Sequence, residues 1–183
     1  ILEYGVISDD LISNDINKST LDNLVWLIFL AVIVVVLLLA LTFRAATMVV
    51  APLVSLLASL VWTYGAISLM GMRFSILEIA VAPVVLGLGI DYSIHVWRRI
   101  EANRNSGMRT WEAMRDMYST TGTALLLSAS TTICGFMVLL LSPIPVIQDF
   151  GVVSSISVLF SLVMALLVLP GLLAAEFRSG NGY

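Results

Sequence analysis

The stretch 87–95 reads Gly-Leu-Gly-Ile-Asp-Tyr-Ser-Ile-His, and it decides how the fold is interpreted. It lies within an apolar run at about 74–97 that is long enough to cross a membrane. Asp91 is an acid inside this run, and no Lys or Arg is nearer to it than Arg98. An ionisable side chain in a spanning helix costs about 3 kcal/mol on insertion scales and typically marks an ion or substrate path. We therefore interpret Asp91 as a proton-binding site in a membrane protein.

The residues around Asp91 agree with this interpretation. Gly87 and Gly89 are small enough to let another helix approach closely beside the acid. Tyr92 can donate a proton in a hydrogen bond. At 3.6 residues per turn, Gly87, Asp91 and the pair Ile94-His95 fall on one face of a helix. His95 is a secondary candidate, because a His near the end of a span more often caps the helix or forms an ordinary hydrogen bond.

Composition places the chain in the membrane and excludes several function classes. Of its 183 residues 60% are hydrophobic and 11% are charged, against about 25% charged in a soluble domain. The chain has no basic patch of the kind that binds nucleic acid. Its single cysteine, Cys134, lies in an apolar run, so we expect no intrachain disulfide and no metal. No nucleophile–base pair is evident, and we therefore expect neither an enzyme nor a cofactor.

Five apolar runs predict an all-α, polytopic transmembrane bundle over residues 21–175. Residues 24–41 alone are 18 uninterrupted apolar residues, which is enough for one span. Residues 1–20 are predicted to end an extracytoplasmic domain, and 98–116 to form a cytoplasmic, amphipathic connection. Residues 176–183 are predicted to be a cytoplasmic tail. The predicted spans are about 21–43, 47–70, 74–97, 117–141 and 146–174.

Basic residues predict the orientation of the bundle. With five spans, Lys18 and Arg73 fall on one side of the membrane and seven arginines fall on the other. The positive-inside rule makes the arginine-rich side cytoplasmic, so the N-terminal end is predicted to be extracytoplasmic and the C-terminal end cytoplasmic. Asp91 then lies in the cytoplasmic half of the hydrocarbon, about 9 Å along the helix from Trp97. The seven arginines are Arg44, Arg98, Arg99, Arg104, Arg109, Arg115 and Arg178.

The second and fourth predicted spans each carry several hydroxyl residues. Those of the second span, among them Ser55, Ser59 and Thr63, favour helix–helix contact over lipid contact. Those of the fourth span either hydrogen-bond to their own helix carbonyls or line a hydrated path, and we favour the path because this helix follows the one with Asp91. The fourth-span hydroxyls are Thr120, Thr121, Thr123, Ser128, Ser130, Thr131 and Thr132.

Glu78 is the other acid of the third span. It is thirteen residues from Asp91, which is about 220° around a straight helix. We interpret it first as an interfacial carboxylate and only second as a site residue.

Several short motifs resemble the resistance–nodulation–division (RND) superfamily, and above all its MMPL and hydrophobe/amphiphile efflux branch. The most specific is 87–95 followed by Arg-Arg-Ile-Glu at 98–101. Phe43-Arg44, Gly135-Phe136 and Leu169-Pro170 also agree with the family pattern. Members of this superfamily have two halves of six spans, each with a large extracytoplasmic domain after its first span. The chain resembles spans two to six of one half.

The resemblance implies export of lipids or hydrophobic and amphiphilic molecules, driven by the proton gradient. It implies a proton relay of Asp91, Tyr92 and Ser128, with Thr131 as a secondary candidate. It also implies that the helix with Asp91 lies against its counterpart in a second half or in a second copy of the chain. Drug-efflux members use an intramembrane Lys as well, which this chain lacks.

Two other functions agree with the same bundle. One is the proton-driven accessory subunit of the Sec translocase, whose members carry an Asp in the equivalent span. The other is a sterol-sensing-like protein that binds a lipid and transports none. A large extracytoplasmic domain favours the exporter, and lipid binding that survives collapse of the proton gradient favours the sterol-sensing function.

Overall fold

The computed structural model describes residues 26, 29–37, 39–41, 46–71 and 81–179, and every regular element within these ranges is a helix. This confirms the predicted all-α membrane bundle. The predictions for residues 1–20 and for Glu78 concern parts of the chain outside the described residues, as does the end of the tail at 180–183.

Three helices form the first part of the bundle. Helix α1 is described over 29–37 and 39–41, α2 is Ala46–Leu69, and α3 is Val81–Asn105. Gly71 follows α2 with φ of 68°, a left-handed conformation that glycine adopts without steric cost. Helix α3 contains Asp91 and continues eight residues beyond 97, where the third span was predicted to end.

The next helix is continuous from Thr110 to Leu141, but its geometry changes along its length. Helix α4 (Thr110–Met117) passes into a π-helical turn (Tyr118–Gly122), then α5 (Thr123–Met137), then a 3₁₀ turn (Val138–Leu141). At its start, the Glu112 carboxylate accepts a hydrogen bond from the Arg109 backbone N–H at 3.1 Å, which satisfies a donor that the helix leaves free.

The last helix, α6, is Pro145–Ser179 and is 35 residues long. Proline suits its first position, because the backbone N–H that proline lacks would have no partner there. Three of the described helices are long and apolar enough to cross a membrane, by length and composition: Val49–Leu69, Thr110–Leu141 and Pro145–Ala174.

Helix α6 is the centre of the bundle, since α2, α3 and α5 all pack against it. At one level α2, α3 and α6 meet at Leu56, Gly89 and Ser161. A second buried cluster lies later in the sequence of α2 but earlier in the sequences of α3 and α6. Helix α2 is therefore antiparallel to both α3 and α6. The second cluster contains Ile67, Val81, Val85 and Val153.

Candidate functional site

Helix α3 presents two different faces to its surroundings. Gly87, Asp91 and His95 are exposed, whereas Gly89 and Ser93 are buried. Two residues along a helix turn the side chain by about 200°, so these two sets point in nearly opposite directions. The exposed set confirms the prediction that Gly87, Asp91 and His95 share one face.

Asp91 borders a groove between α1 and α3. The groove has a volume of about 490 Å³, and Asp91 is the only ionisable residue among those that line it. The remaining lining residues are aliphatic, proline or glycine, so the groove can accommodate a hydrocarbon segment with a polar group at one end. They are Leu30, Ala31, Val34, Val35, Pro83, Leu86, Gly87 and Ile90.

Tyr92 follows Asp91 but does not share its exposed face. Its side chain is only 4% exposed and belongs to the main hydrophobic core. Its phenolic oxygen is buried without a hydrogen-bond partner among the described residues. Tyr92 therefore follows the acid in sequence but lies in the core, with a hydroxyl that can still form a hydrogen bond, and its relay role stays a prediction.

Ser128 and Thr131, the other predicted relay residues, are exposed on α5. Helix α5 packs chiefly against α6 rather than against α3. The Thr131 hydroxyl donates to the Ser128 carbonyl oxygen at 2.8 Å, and no hydrogen bond joins either residue to Asp91 within the described part of the chain. Within this chain Asp91 and Tyr92 are neighbours in sequence on different faces of α3, and Ser128 and Thr131 lie on the surface of another helix.

The two glycines before Asp91 have separate roles. A Cβ atom on Gly87 would meet nothing within 4 Å. A Cβ atom on Gly89 would lie 2.5 Å from Leu56 Cδ2 and 3.3 Å from Ser161 Oγ. Both glycines were expected to thin the surface beside Asp91 for a partner helix. Only Gly87 does so, because Gly89 is turned inward and allows α2 and α6 to approach α3.

Comparison with known proteins identifies the family. The sequence matches the MMPL family over residues 8–180, which is nearly the whole chain. The chain belongs to the MMPL family. This confirms the resemblance to the RND superfamily seen in the sequence, and it makes the chain part of a multi-pass membrane protein.

Relatives of this MMPL chain come from all three domains of life. A putative membrane protein of Methanocaldococcus jannaschii is 33% identical over 144 residues, covering 79% of the chain and 37% of the relative. Protein patched homolog 1 of Danio rerio is 30% identical over 62% of the chain and 9% of its own length. Multidrug resistance protein MdtC of Escherichia coli is 24% identical over 84% of the chain and 15% of its own length. The chain thus spans well under half the length of these relatives.

A polar clamp fixes the end of α3 in this MMPL chain. Arg99 donates to Asp116 through Nε and Nη2, each at 2.9 Å. The buried Asn103 side chain donates to the same Asp116 carboxylate at 2.6 Å and to the Ala113 carbonyl oxygen at 3.2 Å. These contacts join α3 to α4 and so fix the direction in which the Asp91 face points.

The described hydroxyl side chains of the MMPL chain form an exposed group on the π turn and α5 and a buried group on α2, α3 and α6. Those on the π turn and α5 lie on the outside and mostly donate to carbonyl oxygens of their own helix; Ser130, for example, donates to Leu126 at 2.7 Å. The buried hydroxyls belong to α2, α3 and α6. On α2 and α6 their signal in the sequence is spacing, since positions 55, 59 and 63 and positions 154, 157 and 161 recur every three or four residues. They are Ser55, Ser59, Thr63, Ser93, Ser154, Ser155, Ser157 and Ser161.

Among the described residues, no group of three or more His, Cys, Asp or Glu side chains is placed to hold a metal ion.

Proposed function

We propose that the intact protein is a proton-coupled exporter of lipids or other hydrophobic and amphiphilic molecules, with Asp91 as the proton-binding group. The observation that carries this proposal is the exposure of Asp91 on α3 at the edge of an apolar groove. A carboxylate in that position is costly in lipid, by about 3 kcal/mol on insertion scales, unless it is protonated, paired or hydrated. Protonation of Asp91 therefore lowers the free-energy cost of placing this face of α3 against hydrocarbon.

A partner helix is the natural cover for this face. Lipid acyl chains cannot hydrogen-bond to Asp91, whereas a second relay helix can, and Gly87 leaves room for its backbone. The partner is either the second half of the protein or a second copy of the chain. In a pair of copies the contact would be isologous, so that the Gly87 and Asp91 face of one α3 meets the same face of the other, while Tyr92 stays buried in the core of its own chain.

The orientation proposed for the chain supports a route toward the cytoplasm. His95 and Arg98 continue the exposed face of α3 beyond Asp91, toward the end with most of the arginines. The positive-inside rule makes this end cytoplasmic. Protons released from Asp91 on that side would leave past His95.

The direct functional test is Asp91→Asn in the intact protein reconstituted into liposomes. We expect proton uptake under an imposed pH gradient to fall to the level of empty liposomes. Efflux of a hydrophobic dye from cells that express the variant should be lost in parallel. Asp149→Asn is the matched control, because Asp149 is an exposed acid at the start of α6 and should be dispensable. Full proton uptake by Asp91→Asn would contradict the proposal.

The groove between α1 and α3 also favours a second candidate, lipid binding without transport. Its aliphatic lining suits an acyl chain or a sterol ring system. In that case binding of a photoreactive lipid at α1 and α3 should persist after a protonophore collapses the gradient, and Asp91→Asn should bind the lipid as well as wild type does.

A further inference from the structure

Four buried hydroxyls on α2, α3 and α6 have no hydrogen-bond partner among the described residues. The side-chain oxygens of Thr63, Ser93, Ser154 and Ser161 are fully buried, and none has a hydrogen-bond partner among the described residues. An unsatisfied hydroxyl in an apolar interior is unfavourable, and native proteins normally satisfy it with a protein group or an ordered water molecule.

Two of these hydroxyls lie at, or one turn from, the point where Leu56, Gly89 and Ser161 meet. Ser161 Oγ would be 3.3 Å from a Cβ atom placed on Gly89, so α6 approaches the α3 backbone directly at this point. Ser93 is one turn further along α3 on the same buried face. Both side chains therefore point into the junction that also contains Leu56.

The other two hydroxyls lie at a second level. Thr63 is seven residues after Leu56 on α2, and Ser154 is seven residues before Ser161 on α6. Seven residues are nearly two full turns, so each side chain returns to its original face after about 10 Å. Because α2 and α6 are antiparallel, both displacements run in the same direction. Thr63 and Ser154 are therefore at one height on facing helices.

Neighbouring buried serines form hydrogen bonds within their own helices. Ser157 donates to the Val153 carbonyl oxygen at 2.6 Å, and Ser59 donates to Leu56 at 2.8 Å. These serines satisfy themselves on their own helix, as Ser and Thr commonly do in membrane helices. Thr63, Ser93, Ser154 and Ser161 make no such bond, although Ser161 is one turn from Ser157 on the same face.

We propose that these four hydroxyls bind ordered water molecules, forming a hydrated seam between α2, α3 and α6. Water fits because it both donates and accepts, and a buried water needs two or more polar partners of this kind. No carboxylate lies on this face of α3, since Asp91 points the opposite way, so neutral hydroxyls and helix carbonyls are the available ligands. The seam is separate from the Asp91 groove and does not depend on proton transport.

Radiolytic footprinting of the intact protein tests the proposal, because hydroxyl radicals formed from bound water oxidise the side chains beside it. Leu56 at 2% exposed and Leu169 at 0% exposed are both buried leucines, but only Leu56 is at the seam. We expect Leu56 to be oxidised several-fold faster than Leu169, because bound water at this level would generate radicals beside it. Equal, slow oxidation of both leucines would overturn the proposal.

Two variants distinguish water bound at the seam from a general increase in solvent access to the bundle. Ser161→Ala should reduce oxidation of Leu56 toward the rate of Leu169, and Ser93→Ala should act in the same direction. Ser157→Ala is the matched control and should leave the rate unchanged, since its hydroxyl already has a protein partner. If Leu56 is oxidised equally in Ser161→Ala, Ser93→Ala and wild type, or if Ser157→Ala lowers its rate as much as Ser161→Ala does, the assignment of water to these hydroxyls is wrong.

Discussion

Two faces of α3 have the same sequence pattern, but one face is buried in the bundle and the other is exposed. On each face a glycine is followed four residues later by a polar side chain: Gly87 by Asp91, and Gly89 by Ser93. The Gly89 pair is buried against α2 and α6, while the Gly87 pair is exposed and meets nothing from the chain near the glycine. A small residue beside a polar residue therefore indicates close helix packing on both faces. The difference is that the partner of the buried pair lies within this chain, whereas we propose that the partner of the exposed pair lies outside it.

The largest effect is expected from filling the inward glycine. Gly89→Val should destabilise the bundle by about 2 kcal/mol, because the added atoms meet Leu56 and Ser161 in a packed junction. Gly135→Val is the control, since a Cβ atom there meets nothing within 4 Å, and it should change stability by less than about 0.5 kcal/mol. The measurement is the unfolding midpoint in detergent micelles. Equal midpoints for both variants would remove the distinction between the faces.

A smaller loss is expected at the clamp that orients the two faces. Asn103→Ala removes two hydrogen bonds from the buried side of α3 and should cost about 1 kcal/mol in the same assay. Asn105→Ala, two residues further along and exposed, should cost almost nothing. If the two variants have the same unfolding midpoint, the clamp does not hold α3 against α4.

The outward face can be probed by crosslinking rather than by stability. In a Cys134→Ala background, Gly87→Cys should form a disulfide with a cysteine at the counterpart position of the second half, or with a second copy of itself. Leu127→Cys is the control, because Leu127 is 71% exposed on α5 and is expected to face lipid. Crosslinking through Leu127 with none through Gly87 would show that another surface mediates assembly.

The smallest effect is expected where a hydroxyl is exposed and already satisfied. Ser130→Ala should change stability by less than about 0.5 kcal/mol, since the lost hydrogen bond is to a carbonyl of its own helix. A loss above about 1 kcal/mol would mean that the outer surface of α5 packs against something after all.

The exposed face of α3 could be predicted from the sequence, but the path of hydroxyls could not. Helical periodicity alone placed Gly87, Asp91 and His95 together, and composition alone established the all-α membrane class. The inward turn of Gly89 also follows from periodicity, because two residues rotate a helix by about 200°. The orientation of the α5 hydroxyls does not follow, since a Thr that donates to its own helix and a Thr that lines a channel have the same spacing.

The position of Ser128 relative to Asp91 depends on tertiary contacts and on assembly rather than on the local sequence. Whether Ser128 approaches Asp91 depends on which helices neighbour each other, and α6 rather than α3 is the neighbour of α5 within this chain. No local pattern encodes that choice. The relay role of Ser128 and Thr131 therefore stays a prediction that only the assembled protein can test.

The central claim is that Asp91 exchanges a proton within the membrane. The most direct measurement is the infrared difference spectrum of the intact, reconstituted protein between low and high pH. We predict a band from the C=O stretch of a protonated carboxylic acid that titrates with pH, disappears in Asp91→Asn and persists in Asp149→Asn. A spectrum in which that band survives unchanged in Asp91→Asn would contradict the account.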